Sequence, residues 1–215
     1  MTVSEGKYFG RKQGKSFQRL SRFQNLLFDP TNTFFQSIID KTLVLEIGIG
    51  DGMKISKDAS KDLDKTFIGC DIFIDGVLRA ARYQSEHKLK NLFVFHSDIQ
   101  SLVIHLPMNS LDTVRVFFPD PWPKKRHSKR RFLQLEIIKM LHKKIKNGGK
   151  LLISSDDKNY IAWTLSLIFI GKYFSWLAES PSDWRLPSNN YSGSKYEKKG
   201  LKSDREPYFL KFLKI

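Results

Sequence analysis

Short apolar runs recur along this chain of 215 residues, and segments with helical periodicity separate them. The runs are continuously apolar rather than alternating, which is typical of strands that are buried on both faces. They lie near residues 43, 67, 92, 114 and 151 and read TLVLEIG, TFIGCD, NLFVFHSD, TVRVFFPD and KLLISSD. Strands that alternate with helices predict an α/β fold with a largely parallel sheet and helices on both faces.

Three helices are predicted between or after these strands. IDGVLRAARYQSEHK has apolar residues at helical spacing, and so does KRRFLQLEIIKMLHKKI. We expect the second of these helices to end at Asn147-Gly148-Gly149, because glycine commonly stops a helix. Residues 159–171 predict a buried helix, since this segment is shorter than the roughly 20 apolar residues that span a membrane.

The first 40 residues differ from the rest, because KYFGRKQGKSFQRLSRF mixes basic residues with aromatics and glycines. We interpret residues 1–40 as a basic N-terminal arm and residues 41–215 as one domain, a length that a single core can fill. The one cysteine, Cys70, lies in an apolar run and is expected to be buried. A single cysteine and the lack of an apolar leader predict a reducing, cytoplasmic location.

The chain carries 37 Lys and Arg residues against 22 Asp and Glu residues, a formal net charge of +15, which favours a polyanion as partner. The densest cluster, here called the basic segment (residues 124–131), follows the fourth strand. The alternative is that these cations lie at a solvated helix N-terminus and bind nothing, but cations at that end oppose the helix dipole. We therefore expect these side chains to bind phosphates. The cations are Lys124, Lys125, Arg126, Lys129, Arg130 and Arg131.

Acidic residues accompany all five strands, with Glu46 expected in the first turn and the others where strands two to five finish, at Asp71, Asp98, Asp120 and Asp156. Ligands of parallel sheets bind at the carboxyl ends of the strands, so we expect these acids to share one site. The alternative is that they are solvated loop acids. The five histidines are scattered among other residues, and no metal site is predicted.

The loop EIGIGDG after the first strand favours one kind of ligand. Its glycines include Gly48 and Gly50, but Met53 stands where the dinucleotide fingerprint needs glycine, which disfavours a nicotinamide-dependent oxidoreductase. Acidic neighbours would also oppose a pyrophosphate. S-adenosylmethionine, which has a sulfonium, an amino group and no phosphate, fits better. Asp71 is then placed to accept from the ribose hydroxyls and Asp98 from the adenine amine.

The string FFPDPWPKKRHSKRR, residues 117–131, resembles the signature of the bacterial tRNA (guanine-N(7)-)-methyltransferases. VLEIGIGDG is similar to that family's cofactor loop, GCDIFIDGV to its second-strand turn, SSD to the end of its fifth strand and SKYEKKG to its late substrate loop. FGRKQGK in the arm is also similar. The resemblance therefore covers essentially the whole chain.

This resemblance implies a Rossmann-like class I methyltransferase fold with a mostly parallel seven-stranded sheet. It implies transfer of a methyl group from S-adenosylmethionine to nitrogen 7 of guanine 46 in the variable loop of tRNA, with S-adenosylhomocysteine as product. Residues 41–215 would be the catalytic domain. The implied partner is tRNA and not a membrane, and the oligomeric state is left open between monomer and homodimer.

The resemblance also assigns roles to single residues. The acids Glu46, Asp71, Asp98 and Asp120 match positions that contact S-adenosylmethionine, and Asp120 matches the catalytic position. Substrate-contacting positions are matched by Lys124, Asp156, Ser194, Lys195, Tyr196 and Glu197, and the RNA-binding region by Arg126, His127, Ser128, Lys129, Arg130 and Arg131. Many relatives have glutamate at the position of Asp71, which should shorten its reach without changing its role.

Two other functions remain open on the residues alone. Asp120-Pro121-Trp122 loosely resembles the strand-four tetrads of enzymes that methylate exocyclic amines of nucleic acid bases, although the second proline before the aromatic is missing. A non-catalytic RNA-binding subunit would need the basic residues but not the acidic set. Trp122 could stack on a base, and packing within its rigid turn is the preferred interpretation.

Overall fold

A computed structural model describes residues 21–187 and 206–215. Its sheet has seven strands in the order β3-β2-β1-β4-β5-β7-β6. Neighbouring strands from β1 to β5 are parallel, and β7 is antiparallel to β5 and β6. The strands are β1 (Thr42–Ile47), β2 (Lys65–Asp71), β3 (Leu92–His96), β4 (Leu111–Phe117), β5 (Ile145–Ser155), β6 (Phe174–Trp176) and β7 (Tyr208–Lys214). The predicted α/β fold with a mostly parallel sheet is confirmed.

Helices cover both faces of this sheet. Those of the described residues are α1 (Asn32–Ser37), α2 (Met53–Lys61), α3 (Ile74–Glu86), α4 (Ile99–Val103), α5 (Leu135–Lys144), α6 (Lys158–Gly171) and α7 (Ser182–Arg185). Two short 3-10 helices span Ser21–Leu26 and Lys125–Arg130. The apolar side chains of α2 and α3 pack on one face, and those of α4, α5 and α6 pack on the other.

The continuous apolarity of the strands reflects these two packed faces. In β1, Leu43 and Leu45 face the α4–α6 side, while Val44 faces α2 and α3, and all three are buried. Cys70 in β2 is also buried, as expected, and burial raises the pKa of its thiol. The thiol is therefore a packing group.

The predicted helix before the fifth strand differs from α5 at both ends. Residues 125–130 form a separate 3-10 helix and α5 begins only at Leu135, so the macrodipole argument for the basic segment does not apply to α5. The helix also ends at Lys144, before the predicted glycine stop. Gly148, at φ 73°, instead allows β5 to bulge where its register against β4 shifts, because residue 145 is already extended and paired with Leu111.

The apolar segment at residues 159–171 forms α6, as predicted, but only one of its faces is buried. Tyr160, Thr164 and Leu167 pack inward, whereas Phe169 and Ile170 are exposed. The predicted buried helix is therefore buried on one face only, because α6 lies on the outside of a single sheet and contacts the protein on one side. Within residues 21–187 and 206–215, no helix has the length and apolarity to cross a bilayer.

Part of the predicted N-terminal arm packs on the sheet. Residues 1–20 lie outside the described residues, but Phe28, Phe34 and Phe35 form edge and tilted ring contacts with Phe93 and Phe95 of β3. Phe35 is fully buried. The boundary at residue 40 stays a prediction, and the half of the arm that is described covers one edge of the core.

Helix α3 closely approaches the loop of residues 48–52 after β1, here called the glycine loop, at Gly76. A Cβ atom placed at Gly76 would lie 1.8 Å from the carbonyl oxygen of Gly50, and one at Gly52 would lie 2.4 Å from the carbonyl oxygen of Gly76. Glycine within a helix is unfavourable by about 1 kcal/mol relative to alanine. The close backbone contact is the physical reason for glycine here, since no side chain fits between the two segments.

We expect Gly76→Ala to destabilise the protein by roughly 1–3 kcal/mol, because the new methyl group overlaps the backbone of the glycine loop. The melting temperature, followed by circular dichroism, should fall by roughly 2–4 °C for each kcal/mol of destabilisation. Ser85→Ala at an exposed position of the same helix is the control and should leave it nearly unchanged. A Gly76→Ala protein as stable as the wild type would contradict this packing.

Candidate active site

Five neighbouring strand ends form one edge of the sheet, here called the carboxyl edge. The order β3-β2-β1-β4-β5 with parallel pairing brings the ends of these strands side by side. Asp71 is the last residue of β2, the glycine loop follows β1, and the other three aspartates, Asp98, Asp120 and Asp156, follow β3, β4 and β5. The structure therefore gathers the four aspartates along one edge, around the loop.

Asp71 joins the end of β2 to the glycine loop. Its side chain is 7% exposed, and its carboxylate accepts hydrogen bonds from the amides of Gly50 and Phe73, both at 2.9 Å. Burial raises the pKa of Asp71, and these amides partly offset the rise. The amide of Ile72 is a third backbone donor to this carboxylate, which can accept about four hydrogen bonds and so has capacity for a further donor.

Asp98 has a local structural function. It is the N-cap of α4, where its carboxylate accepts from the amide of Ser101 at 2.9 Å and from the hydroxyl of Ser101 at 2.8 Å. Such caps stabilise a helix by about 1 kcal/mol. The cap explains why an acid follows β3 whether or not a ligand binds there, and the predicted contact with adenine stays a prediction.

Asp120 is exposed at the carboxyl edge. Its carboxylate makes no hydrogen bond or ion pair with the part of the chain that the structure describes. The residues on either side of it include two with left-handed backbone, Phe118 at φ 50° and Trp122 at φ 42°. A non-glycine residue in this region costs about 1–2 kcal/mol, so the surrounding structure must hold the turn.

Glu46 does not lie in the turn, where the sequence pattern places it. It is inside β1, pairs in register with Gly69 and Arg115, and is 2% exposed. The side chain points to the α2 side of the sheet because it has the same parity as Val44. Sheet pairing on both sides extends the strand through residue 47, one position beyond the point where the sequence suggests a turn.

Glu46 belongs to a largely buried cluster of four charges. Its Oε2 lies 3.5 Å from Arg115 and 3.8 Å from Lys54, and Asp58 pairs with Lys54 at 2.6 Å and with Arg115 at 2.7 Å. Burial raises the pKa of Glu46, and Lys54 and Arg115 lower it in part. Two cations and two anions balance, so Glu46 adds less negative charge to the loop than the sequence suggests.

The other predicted substrate contacts are only partly described. Asp156 directly follows β5 and is half-buried, and the next residue, Asp157, caps α6 by accepting from the amide of Tyr160 at 2.8 Å. Ser194, Lys195, Tyr196 and Glu197 lie outside the described residues. Their predicted contact with the substrate stays a prediction.

The basic segment follows Asp120 after a short turn and forms a 3-10 helix. Trp122 packs against it, with its ring 5.7 Å from the His127 ring and 5.1 Å from the Arg130 guanidinium. A groove of about 520 Å³ separates this helix from α6 and is lined in part by Lys125 and Trp163. The exposed side chains of the segment are Lys124, Lys125, Arg126, Lys129 and Arg130, while His127 and Ser128 are half-buried and Arg131 is buried.

Sequence reasoning misses three residues that shape this edge. Gly76 supports the glycine loop, Arg115 neutralises Glu46, and Trp163 on α6 stacks under Arg131. Two had a visible signal, namely a glycine inside a helical pattern and a single arginine within an apolar strand. Trp163 had none, because its partner comes from a segment that only the tertiary structure brings near.

Three comparisons relate this chain to known proteins. A family model with the description "Putative methyltransferase" matches residues 40–210. A tRNA (guanine-N(7)-)-methyltransferase of Agrobacterium fabrum is 32% identical over 96% of this chain and 94% of its own length. An enzyme of the same name from Azorhizobium caulinodans is 32% identical over 100% and 97%.

Solved structures share the fold at low sequence identity. A structure described as an antibiotic related methyltransferase has a TM-score of 0.61 at 18% identity and covers 86% of this chain and 94% of its own. The 16S rRNA (adenine(1408)-N(1))-methyltransferase of Catenulisporales acidiphilia has a TM-score of 0.58 at 16% identity, covering 88% and 95%. The fold is therefore that of a class I methyltransferase, and by its sequence relatives the chain belongs to the tRNA (guanine-N(7)-)-methyltransferase family.

Proposed function

We propose that this protein transfers a methyl group from S-adenosylmethionine to nitrogen 7 of guanine 46 in the variable loop of tRNA. The observation that carries the proposal is the position of Asp120. Its carboxylate is exposed at the carboxyl edge, between the glycine loop that follows the neighbouring strand β1 and the basic segment. A donor at the loop and an RNA on the basic segment would then meet at this carboxylate.

The carboxyl edge suits S-adenosylmethionine, which carries the methyl group as a sulfonium. Asp71 has acceptor capacity beyond its three backbone amides and would accept from a hydroxyl of the ribose diol. Gly48 and Gly50, at φ 75° and 61°, let the backbone approach a ligand without a side chain between them. Glu46 would act from behind the loop, through Lys54 and Arg115, and not as an exposed anion.

Methylation of nitrogen 7 needs no general base. This ring nitrogen has a lone pair in the plane of guanine and no proton, so the new N–C bond forms as the S–C bond breaks, and the sulfur takes the bonding pair. Orientation of the reacting atoms in line can supply about 7–11 kcal/mol. Positive charge passes to the purine during the transfer, and the Asp120 carboxylate would orient the base and stabilise that charge.

Recognition of guanine calls for acceptors, since its ring N–H and amine are donors that adenine does not offer in the same arrangement. Asp156, at the end of β5, and Glu197 are the proposed acceptors. The exposed cations of the basic segment would bind the phosphates that flank the target nucleotide. Lys124, the member nearest to Asp120 in the chain, would be the contact closest to the reacting base.

The direct test is transfer of labelled methyl groups from S-adenosylmethionine to unmodified tRNA, followed by nucleoside analysis. We expect label in 7-methylguanosine, and we expect Asp120→Ala to slow the reaction by roughly 100-fold or more through loss of charge stabilisation. Asp64→Asn, an exposed acid that precedes β2 at the opposite edge, is the control and should keep full activity. Label on an adenine or cytosine amine would favour an exocyclic-amine enzyme, and no label would favour a binding module.

A second test concerns Asp71. Asp71→Ala removes the acceptor for the ribose hydroxyls, and hydrogen bonds to a charged group contribute about 1.5–3 kcal/mol each. We expect calorimetry to show S-adenosylmethionine binding weakened by roughly 10- to 100-fold. Binding of tRNA should be nearly unaffected, because the proposed role of Asp71 is to bind S-adenosylmethionine and not RNA. Unchanged donor affinity would remove Asp71 from the donor site.

A third test concerns the basic segment. Arg126→Gln with Lys129→Gln should weaken tRNA binding and reduce the slope of log K against log salt by roughly 0.7–0.9 for each phosphate that the variant no longer binds. The matched control is Lys61→Gln with Lys90→Gln, which removes the same charge from exposed positions where α2 ends and before β3. Equal slopes for the two double variants would show that these cations do not touch RNA.

A further inference from the structure

Arg131 differs from the other cations of the basic segment in its exposure. The other five are exposed, whereas Arg131 is 7% exposed. A side chain that holds RNA phosphates must reach solvent, so burial sets Arg131 apart. Arg131 lines the groove beside α6, but most of its side chain is covered, so the buried donors of its guanidinium must find partners within the protein.

The partners of Arg131 lie in the turn that follows Asp120. Its Nε donates to the carbonyl oxygen of Pro121 at 3.1 Å, and its Nη2 donates to that of Trp122 at 3.5 Å. The guanidinium has its donors in one rigid plane, so it can bind two neighbouring carbonyl groups at once. Arg131 thereby links the two peptide units that follow Pro121 and Trp122, in the turn just after Asp120.

The Arg131 guanidinium also packs on an aromatic ring that the protein holds in place. It lies 5.3 Å from the centre of the Trp163 ring on α6. The Trp163 indole donates to the carbonyl oxygen of Leu133 at 2.9 Å, and the amide of Leu133 is 3.4 Å from the buried Tyr160 hydroxyl. Arg131 therefore connects the turn after Asp120 to a helix that is anchored in the core.

The turn needs such support because its backbone is strained. Phe118 and Trp122, on either side of Asp120, both have positive φ, and neither is glycine. The amide of Phe118 donates to the carbonyl oxygen of Ser154 at 2.8 Å, which holds the first of them. The hydrogen bond from Arg131 to the Trp122 carbonyl holds the second.

We propose that Arg131 is a positioning residue, which fixes the direction of the Asp120 carboxylate by holding the turn at Pro121 and Trp122, and that it is not an RNA contact. The inference rests on the proposed catalytic role of Asp120. Loss of Arg131 then lowers the rate of the chemical step, because small displacements of a reacting group reduce an orientation effect strongly. It leaves the binding of RNA phosphates by the exposed cations unchanged.

The kinetic test compares Arg131→Gln with Lys129→Gln, since both remove one positive charge from the same segment. For Arg131→Gln we expect kcat to fall by roughly 10-fold or more with little change in the salt slope of tRNA binding. For Lys129→Gln we expect a higher KM for tRNA. We also expect the slope of log K against log salt to decrease by roughly 0.7–0.9. Arg131→Lys should lie between wild type and Arg131→Gln in kcat, because an ammonium cannot bind both carbonyls in one plane.

The second measurement does not depend on activity. Hydrogen exchange followed by mass spectrometry should show faster exchange of the peptide that spans residues 117–124 in Arg131→Gln, and no change there in Lys129→Gln. If Arg131→Gln fails to fold, Arg131→Lys and Trp163→Leu, which removes the ring under the guanidinium, replace it and should show the same faster exchange.

The outcomes separate the two proposals. Wild-type protein that transfers no methyl group to tRNA would overturn the proposed function, and the exchange data would still test whether Arg131 holds the turn. If the wild type is active and Arg131→Gln keeps its kcat but shows a reduced salt slope of tRNA binding, Arg131 is an RNA contact. Unchanged exchange at residues 117–124 in the folded Arg131 variants would also overturn the inference.

Discussion

The contact between the glycine loop and α3 is the constraint on which the candidate site depends. The Gly50 carbonyl meets the backbone of α3 at Gly76, and the Gly50 amide donates to Asp71 at the end of β2. One loop therefore joins the ends of β1 and β2 to the helix that covers them. The loop carries little negative charge of its own at Glu46, because the buried Lys54 and the half-buried Arg115 balance the two buried anions beneath it. In the proposed function, the cationic methyl donor would therefore contact the aspartates of the carboxyl edge rather than Glu46.

In the proposed function, the carboxyl edge and the basic segment separate two tasks by charge. The aspartates lie at strand ends, where backbone amides hold Asp71 and a helix cap holds Asp98, and Asp120 remains exposed. The cations begin only a few residues later, on a short 3-10 helix that the core does not cover. Methyl transfer needs accurate placement over a short range, whereas phosphate binding acts over about 10 Å and tolerates motion. A strained turn held from within the protein, next to an exposed cationic helix, would meet both requirements of the proposed function.

Much of this arrangement was predictable because it depends on local sequence signals. Continuous apolar runs predict the five parallel strands, and acids directly after them predict a polar edge. Predictions failed where neighbours in space decide the outcome. Glu46 lies within a strand because β2 and β4 pair with it on both sides, and the glycines at 148 and 149 form a bulge because residue 145 already pairs with β4. Strand β6 was not identified because three residues give no periodicity.

The sequence by itself determined the fold class, the family and the order of acids and cations along the chain, because each depends on residue type and spacing. Only the tertiary structure decided which charges face a ligand and which are buried. Glu46 and Arg131 each look like their neighbours in the sequence, yet both are buried with partners far away in the chain or on another element. Burial of a charged group depends on what packs over it, and that information is distributed over strands and helices that sequence spacing does not connect.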